Sequence, residues 1–226
     1  MHDDRVNQYI WVFWNSSVSI AKVGASDQHL SVRIEDGEEV CLFSFVYAKC
    51  DPRLHKSLWN DLQAFNPGEG VWFVRGYFNS IMDVSEKKDG VFSSRTNRYA
   101  FSSFAPQEGL MDLRFSGDKF TWCNNKRGSR RTWCRMDRCL DNLHTISAFP
   151  DMEITHLAHV LSEHFPLIVQ IKAGQAHDGH FFFSSRWVQH QSFLETVRGS
   201  WEKPIQGRYW IKLHNKLRHL RADLME

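Results

Sequence analysis

Along the first half of the chain, apolar residues recur at the spacings of strands and turns. Trp11-Val12-Phe13-Trp14 and Val18 to Val23 read as two short strands about an Asn15-Ser16-Ser17 turn. Leu30-Ser31-Val32-Arg33-Ile34 alternates apolar and polar positions, the period of a half-buried strand. After Asp36-Gly37-Glu38, Val40 to Tyr47 is almost continuously apolar, as in a strand covered on both faces. Pro52 then opens a helix, where a missing N–H costs nothing. Leu54, Leu58, Leu62 and Phe65 fall on one face of it, and Asn66-Pro67-Gly68 ends it. Val71 to Val74 is a second buried strand and runs straight into Gly76-Tyr77-Phe78-Asn79. In α/β sheets, the loop just past the carboxyl end of a strand is where ligands usually sit.

Further along, Phe120 to Cys123 and Thr132 to Asp137 read as the arms of a hairpin. Its turn, Asn125 to Arg131, holds Lys126, Arg127, Arg130 and Arg131. Phe165 to Ile171, preceded by Ser162-Glu163-His164, has the character of a last core strand. After Gly174 the period changes. Trp187, Gln191, Leu194, Val197 and Trp201 form one stripe at helical spacing, and Trp210, Leu213, Leu217, Leu220 and Leu224 form another. The division falls near residue 175, and no internal repeat is present.

Composition narrows the class. A chain of 226 residues with nine Trp and seventeen Phe predicts one bulky core, or a core plus an appendage. A net charge of +2 permits nucleic-acid contact without arguing for it alone. No apolar run is long enough to span a membrane, and Met1-His2-Asp3-Asp4-Arg5 does not open a secretory signal. The expectation is an intracellular protein, of nucleus or cytoplasm, that is not secreted. Its five cysteines are then reduced thiols. Cys134, Cys139 and His144 as a zinc site weigh less than the same cysteines as small buried hydrophobes. Scattered surface or core histidines likewise explain His156 and His159 better than a metal cluster does. The hairpin turn reads equally as a phosphate contact or as a solvated loop. Phe120, Trp122 and Trp133 read as packing residues before base-stacking ones. The last helical stripe serves equally to bind a partner helix or to pack back on the domain.

Four segments carry a resemblance. Trp72 to Asn79 resembles the strand and Gly-Asp-Phe-Asn loop of the endonuclease/exonuclease/phosphatase (DNase I-like) superfamily. Phe120-Thr121-Trp122, Arg135 to Leu140 and Ser162 to Leu167 follow in that family's order. The likeness is greatest to the endonuclease of plant LINE-type (non-LTR) retrotransposon polyproteins, where two helices lie between endonuclease and reverse transcriptase. It implies an α/β sandwich of two mixed β-sheets flanked by helices, without its N-terminal strands, followed by a C-terminal helical pair. Residues 1–175 are then a truncated endonuclease domain, and 176–226 an extension towards a reverse transcriptase.

In that family a divalent cation, Mg²⁺ or Mn²⁺, polarises a DNA phosphate while a carboxylate readies a water. Transferred onto matching positions, the resemblance implies catalytic roles for Tyr47, Asn79, Asp137 and His164. Glu163 stands for the Asp that orients the histidine and is a weak metal ligand. Tyr77 stands where the activating Asp belongs. The family's first Asn and main metal-binding Glu would lie upstream of Met1 and are expected to be absent. A phenol is neutral at working pH and far larger than a carboxylate. The chain is therefore expected to be a degenerate, inactive endonuclease. The alternatives are a nucleic-acid-binding module, or a weak residual metal-dependent phosphodiesterase.

Overall fold

The computed structural model describes residues 9–36, 39–90, 95–158, 162–171, 187–188, 190–205 and 209–224. They divide into two compact units, 1–175 and 176–226. In chain order the first unit runs β1 (Ser19–Ala25), β2 (His29–Asp36), β3 (Glu39–Tyr47), α1 (His55–Ala64), β4 (Val71–Tyr77) and β5 (Lys87–Lys88). It continues with α2 (Arg95–Gln107), β6 (Leu110–Asp112), β7 (Ser116–Gly117), β8 (Trp122–Cys123), β9 (Trp133–Cys134) and β10 (Asp137–Asn142). It closes with α3 (Leu143–Ala148), β11 (Glu153–His156) and β12 (Leu167–Gln170).

A six-stranded sheet, in the order β1-β2-β3-β4-β10-β6, forms one layer. Its outer strands are antiparallel, but β3 and β4 run parallel, joined by α1 as such a crossover requires. Three-stranded sheets β12-β11-β7 and β5-β9-β8 supply the second side. The helices cover one face of the large sheet. Leu58, Trp59 and Leu62 of α1 and Phe101, Phe104 and Ala105 of α2 meet Val46, Trp72, Val74 and Leu140 in one buried cluster. Within it, Trp59 stacks on Phe101 at 5.2 Å and Phe104 at 4.7 Å. Across the other face, Phe43 stacks on Phe73 at 4.3 Å. A cavity of about 480 Å³ separates that face from Leu167, Val169 and Ile171.

Three expectations are corrected. Trp11 to Trp14 forms no strand: Trp11, Phe13 and Trp14 are exposed and β1 pairs only with β2. Aromatic β-preference has no effect without a neighbouring strand to pack against. Leu54 is exposed, because Pro52–Leu54 is a separate 3₁₀ turn that rotates it off the α1 stripe, while His55 and Trp59 are buried. The hairpin arms are shorter than their pattern. Asp137 leaves them to begin β10, since the Thr121 hydroxyl accepts from both Met136 N and Asp137 N at 2.9 Å and bends the chain into the large sheet. The second layer is built of the two small sheets. Two helices had no readable pattern: α2 interrupts its stripe with Ser102, Ser103 and Pro106, and α3 is six residues long.

The second unit holds α4 (Phe193–Glu202) and α5 (Tyr209–Asp223), the helical pair. Lys203 Nζ meets the Asp223 carboxylate at 2.6 and 2.7 Å, and the Lys216 ammonium lies over the Trp201 ring at 5.4 Å. Leu194 and Leu217 remain exposed. No described helix is long and apolar enough to cross a membrane.

At the buried start of β4 the backbone ladder is completed by side chains. Thr145 Oγ1 accepts from Trp72 N and donates to Trp72 O, both at 2.9 Å, while Asn142 caps α3 through Thr145 N. Thr145→Val keeps the shape but strips this bonding. It is expected to destabilise the first unit by about 1–3 kcal/mol, read as a lower urea midpoint at unchanged slope.

Candidate active site

Register alone assembles the first part of the site. Parallel pairing sets Tyr47 beside Tyr77, and antiparallel pairing sets Tyr77 beside Asp137. Side chains alternate faces, so paired residues share one. Tyr47, Tyr77 and Asp137 therefore form a row across three strands, on the face away from the helices. The row ends where β3 and β4 end, as expected for a ligand site on an α/β sheet. Gly76 permits the close pairing: its φ is +134°, and a Cβ there would lie 2.1 Å from Val46 O.

The loop after β4 folds back on itself. Asn79 takes a φ of +48°, which Asn tolerates better than most residues, and its Oδ1 accepts from the Tyr77 hydroxyl at 2.8 Å. Burial, with the nearby Cys50 and Asp137 adding to it, pushes the Tyr77 phenol well above its ordinary range. It stays protonated and acts as a donor.

His164 enters from the far side of the row. Its N–H is held by Ser162 Oγ at 3.0 Å, and it bridges Trp122 of β8. Its Nδ1 lies 3.2 Å from each Asp137 carboxylate oxygen. The ring meets Tyr77 edge-on, with centroids 4.6 Å apart. The hydrogen bond to Asp137 raises the histidine pKa, outweighing its burial, and the charges of Asp137 and Glu163 add to it. Asp137 is thus the carboxylate that meets the histidine, in the position expected for Glu163. The Glu163 side chain is exposed, and its carbonyl accepts from Cys123 N at 2.8 Å.

Tyr47, Tyr77, Asn79, Asp137 and His164 are thereby brought together. Tyr9, Trp11, Tyr47, Tyr77, Asp137 and His164 line a cleft of about 350 Å³. Lys126, Arg127, Arg130 and Arg131 stand on the exposed hairpin tip, with Arg131 Nε on Lys126 O at 2.8 Å and its guanidinium 5.7 Å over Trp133. The hairpin root adjoins the histidine segment, Asn125 Nδ2 donating to Ser162 O at 3.2 Å.

The residues present do not fit a bound Mg²⁺ or Mn²⁺. A hard cation takes several oxygen ligands. Here Asp137 is committed to His164, Asn79 Oδ1 to Tyr77, and Glu163 faces solvent. Among the described residues no group of three His, Cys, Asp or Glu could hold a metal. Cys134 and Cys139 are buried thiols whose pKa burial lifts to about 11. His156 is buried, stacked on Phe115 at 4.1 Å and bonded to Asp118 O at 2.7 Å; His159 lies outside the described residues.

Sequence reasoning missed the charges beneath the row. Arg75 meets the buried Asp141 at 2.7 and 2.9 Å, and burial lifts the Asp141 carboxyl to about 6 against that pull. Arg135 holds Asp112 in a fork at 2.6 and 2.7 Å, and Arg138 holds Asp112 at 2.6 Å and Glu86 beside it. Arg135 and Arg138 flank Asp137 in its motif, which was the available signal. Their partners lie too far along the chain to be matched from spacing.

His164 is expected to titrate above the ordinary value of about 6.5 in an NMR pH series, and Asp137→Asn to bring it back down. A raised folded pKa stabilises below the unfolded value. This contribution is complete below about pH 6.5 and is lost as pH rises through the folded pKa. A midpoint unmoved by Asp137→Asn would refute the pairing.

No protein-family model matches the chain, and no curated protein matches it in sequence. Among solved structures it is similar to the endonuclease domain of TRAS1, a telomere-specific non-LTR retrotransposon. That match has a TM-score of 0.58 at 15% identity and covers 72% of each chain. It is also similar to the 3′ phosphatase NExo from Neisseria bound to a product DNA hairpin, with a TM-score of 0.50 at 14% identity over 70% of this chain and 71% of the other. At these identities the likeness speaks for the fold alone, and the fold is DNase I-like.

Proposed function

We propose that this chain derives from a retroelement DNA endonuclease, of the plant LINE type, and has exchanged catalysis for nucleic-acid binding. One observation carries the reading. Tyr77 fills the centre of the row, its hydroxyl on Asn79 and its ring against His164. Hydrolysis of a phosphodiester needs a base aimed at a water and room for both. Tyr77 supplies neither a base nor the room. The basic hairpin next to His164 remains suited to DNA phosphates. Residues 1–175 are read as the former endonuclease domain, and 176–226 as the segment that joins such domains to a reverse transcriptase.

The intact Asp137–His164 pair favours a second reading, residual phosphodiesterase activity. Asp137 would orient the ring and His164 would present its other nitrogen to a phosphoryl oxygen.

Nicking of supercoiled plasmid by the full chain with Mg²⁺ or Mn²⁺ separates the two. No nicking is expected. Nicking that vanishes with EDTA and with His164→Ala would overturn the silent-site reading. Losing a general base costs on the order of a hundred- to ten-thousandfold, so Tyr77→Asp tests how much that residue withholds. Duplex DNA binding should weaken steeply with salt. Replacing Lys126, Arg127, Arg130 and Arg131 by Ala should flatten the log–log slope by about 0.9 for each phosphate that these side chains neutralise. A slope unchanged by these four replacements would remove the hairpin from the interface.

A further inference from the structure

The cleft carries more aromatic rings than phosphodiester chemistry calls for. Four rings follow one another from surface to floor: Tyr9 stacks on Tyr47 at 5.4 Å, Tyr47 tilts against Tyr77 at 5.6 Å, and Tyr77 meets His164 at 4.6 Å. A second exposed pair stands beside the outer end, Trp11 on Phe13 at 6.3 Å. Exposure falls from 70% at Tyr9 and 76% at Trp11 to 39% at Tyr47. These large rings are presented outward at the cleft mouth. A cluster of exposed apolar rings marks an interaction surface, where a single one does not.

The inner end is polar. Asp137 and His164 line it there, and the root of the hairpin carrying Lys126, Arg127, Arg130 and Arg131 adjoins His164 through the Trp122 bridge. The ligand this suits carries flat π-faces at intervals and a negative charge beside each. Duplex DNA does not meet that description, because its base faces are already covered by their neighbours. An unpaired strand does, and aromatic platforms flanked by a cationic track are how single strands are held without sequence preference.

Building on the nucleic-acid reading above, we infer that the cleft binds single-stranded DNA. Bases stack on the exposed faces of Tyr9 and Trp11, and the backbone passes the basic hairpin. Tyr77 then has a positive role: its neutral ring stands in a place where a second carboxylate beside Asp137 would repel the strand.

The test is fluorescence anisotropy of the full chain with a labelled oligothymidine of about a dozen nucleotides. An abasic strand of the same length and a duplex of the same length complete the set. The abasic strand keeps every phosphate and removes every base, so it needs no protein variant. Its Kd is expected to be about tenfold or more higher than that of oligothymidine. Trp11→Leu and Tyr9→Leu, both at exposed positions, should each weaken oligothymidine about fivefold or more and leave the abasic strand unchanged. Equal affinity for oligothymidine and the abasic strand, with salt-sensitive duplex binding intact, would overturn stacking and leave the nucleic-acid reading standing. Absence of binding to all three would overturn both.

Discussion

The pairing of β3, β4 and β10 in one register is the constraint on which the rest depends. Side chains of a strand alternate faces, so one slip of register would exchange the two faces completely. With the register observed, Val46, Trp72, Val74 and Leu140 meet the helices, and Tyr47, Tyr77 and Asp137 line up on the opposite side. Core and site are thus two consequences of the same hydrogen-bond ladder. The polar groups that fix it are themselves buried: Thr145 and Asn142 at the start of β4, Thr121 at the start of β10.

Buried charge does a related job beneath the hairpin. Arg135, Arg138, Asp112 and Glu86 neutralise one another within a few ångströms, and Arg138 is fully buried. Such a group adds little net stability over an apolar core, but losing one member leaves an unpaired buried charge. It ties β6, β10 and the segment before β5 together, and so fixes the strand from which Asp137 projects.

What the site can do follows from which groups remain free to react. Asp137 and His164 form a pair able to hold and deliver a proton. Tyr77 beside them is neutral, held protonated by burial, and occupies the space in front of the histidine. A large neutral ring in that position offers no base to a water.

Much of this was legible in the sequence because it is local. The apolar run of β3, the α1 stripe, the β4 strand with its loop and the two C-terminal helices all rest on periodicity within a few turns or pairs. The resemblance of their motifs to those of one family also marked Tyr77, Asp137 and His164 as candidates for one site. Tertiary structure alone decided which carboxylate meets His164, because Asp137 and Glu163 both precede or neighbour it in sequence and only the Trp122–His164 bridge, beside the start of β10, brings one to its ring. It alone left Trp11 exposed and set Tyr9 over Tyr47, since an aromatic segment becomes a strand only when another strand offers its edge. Distant partners such as Asp112 and Glu86 for the two arginines were likewise closed to sequence reasoning. Pairing across the fold depends on where chains meet in space, and spacing along the chain carries no record of it.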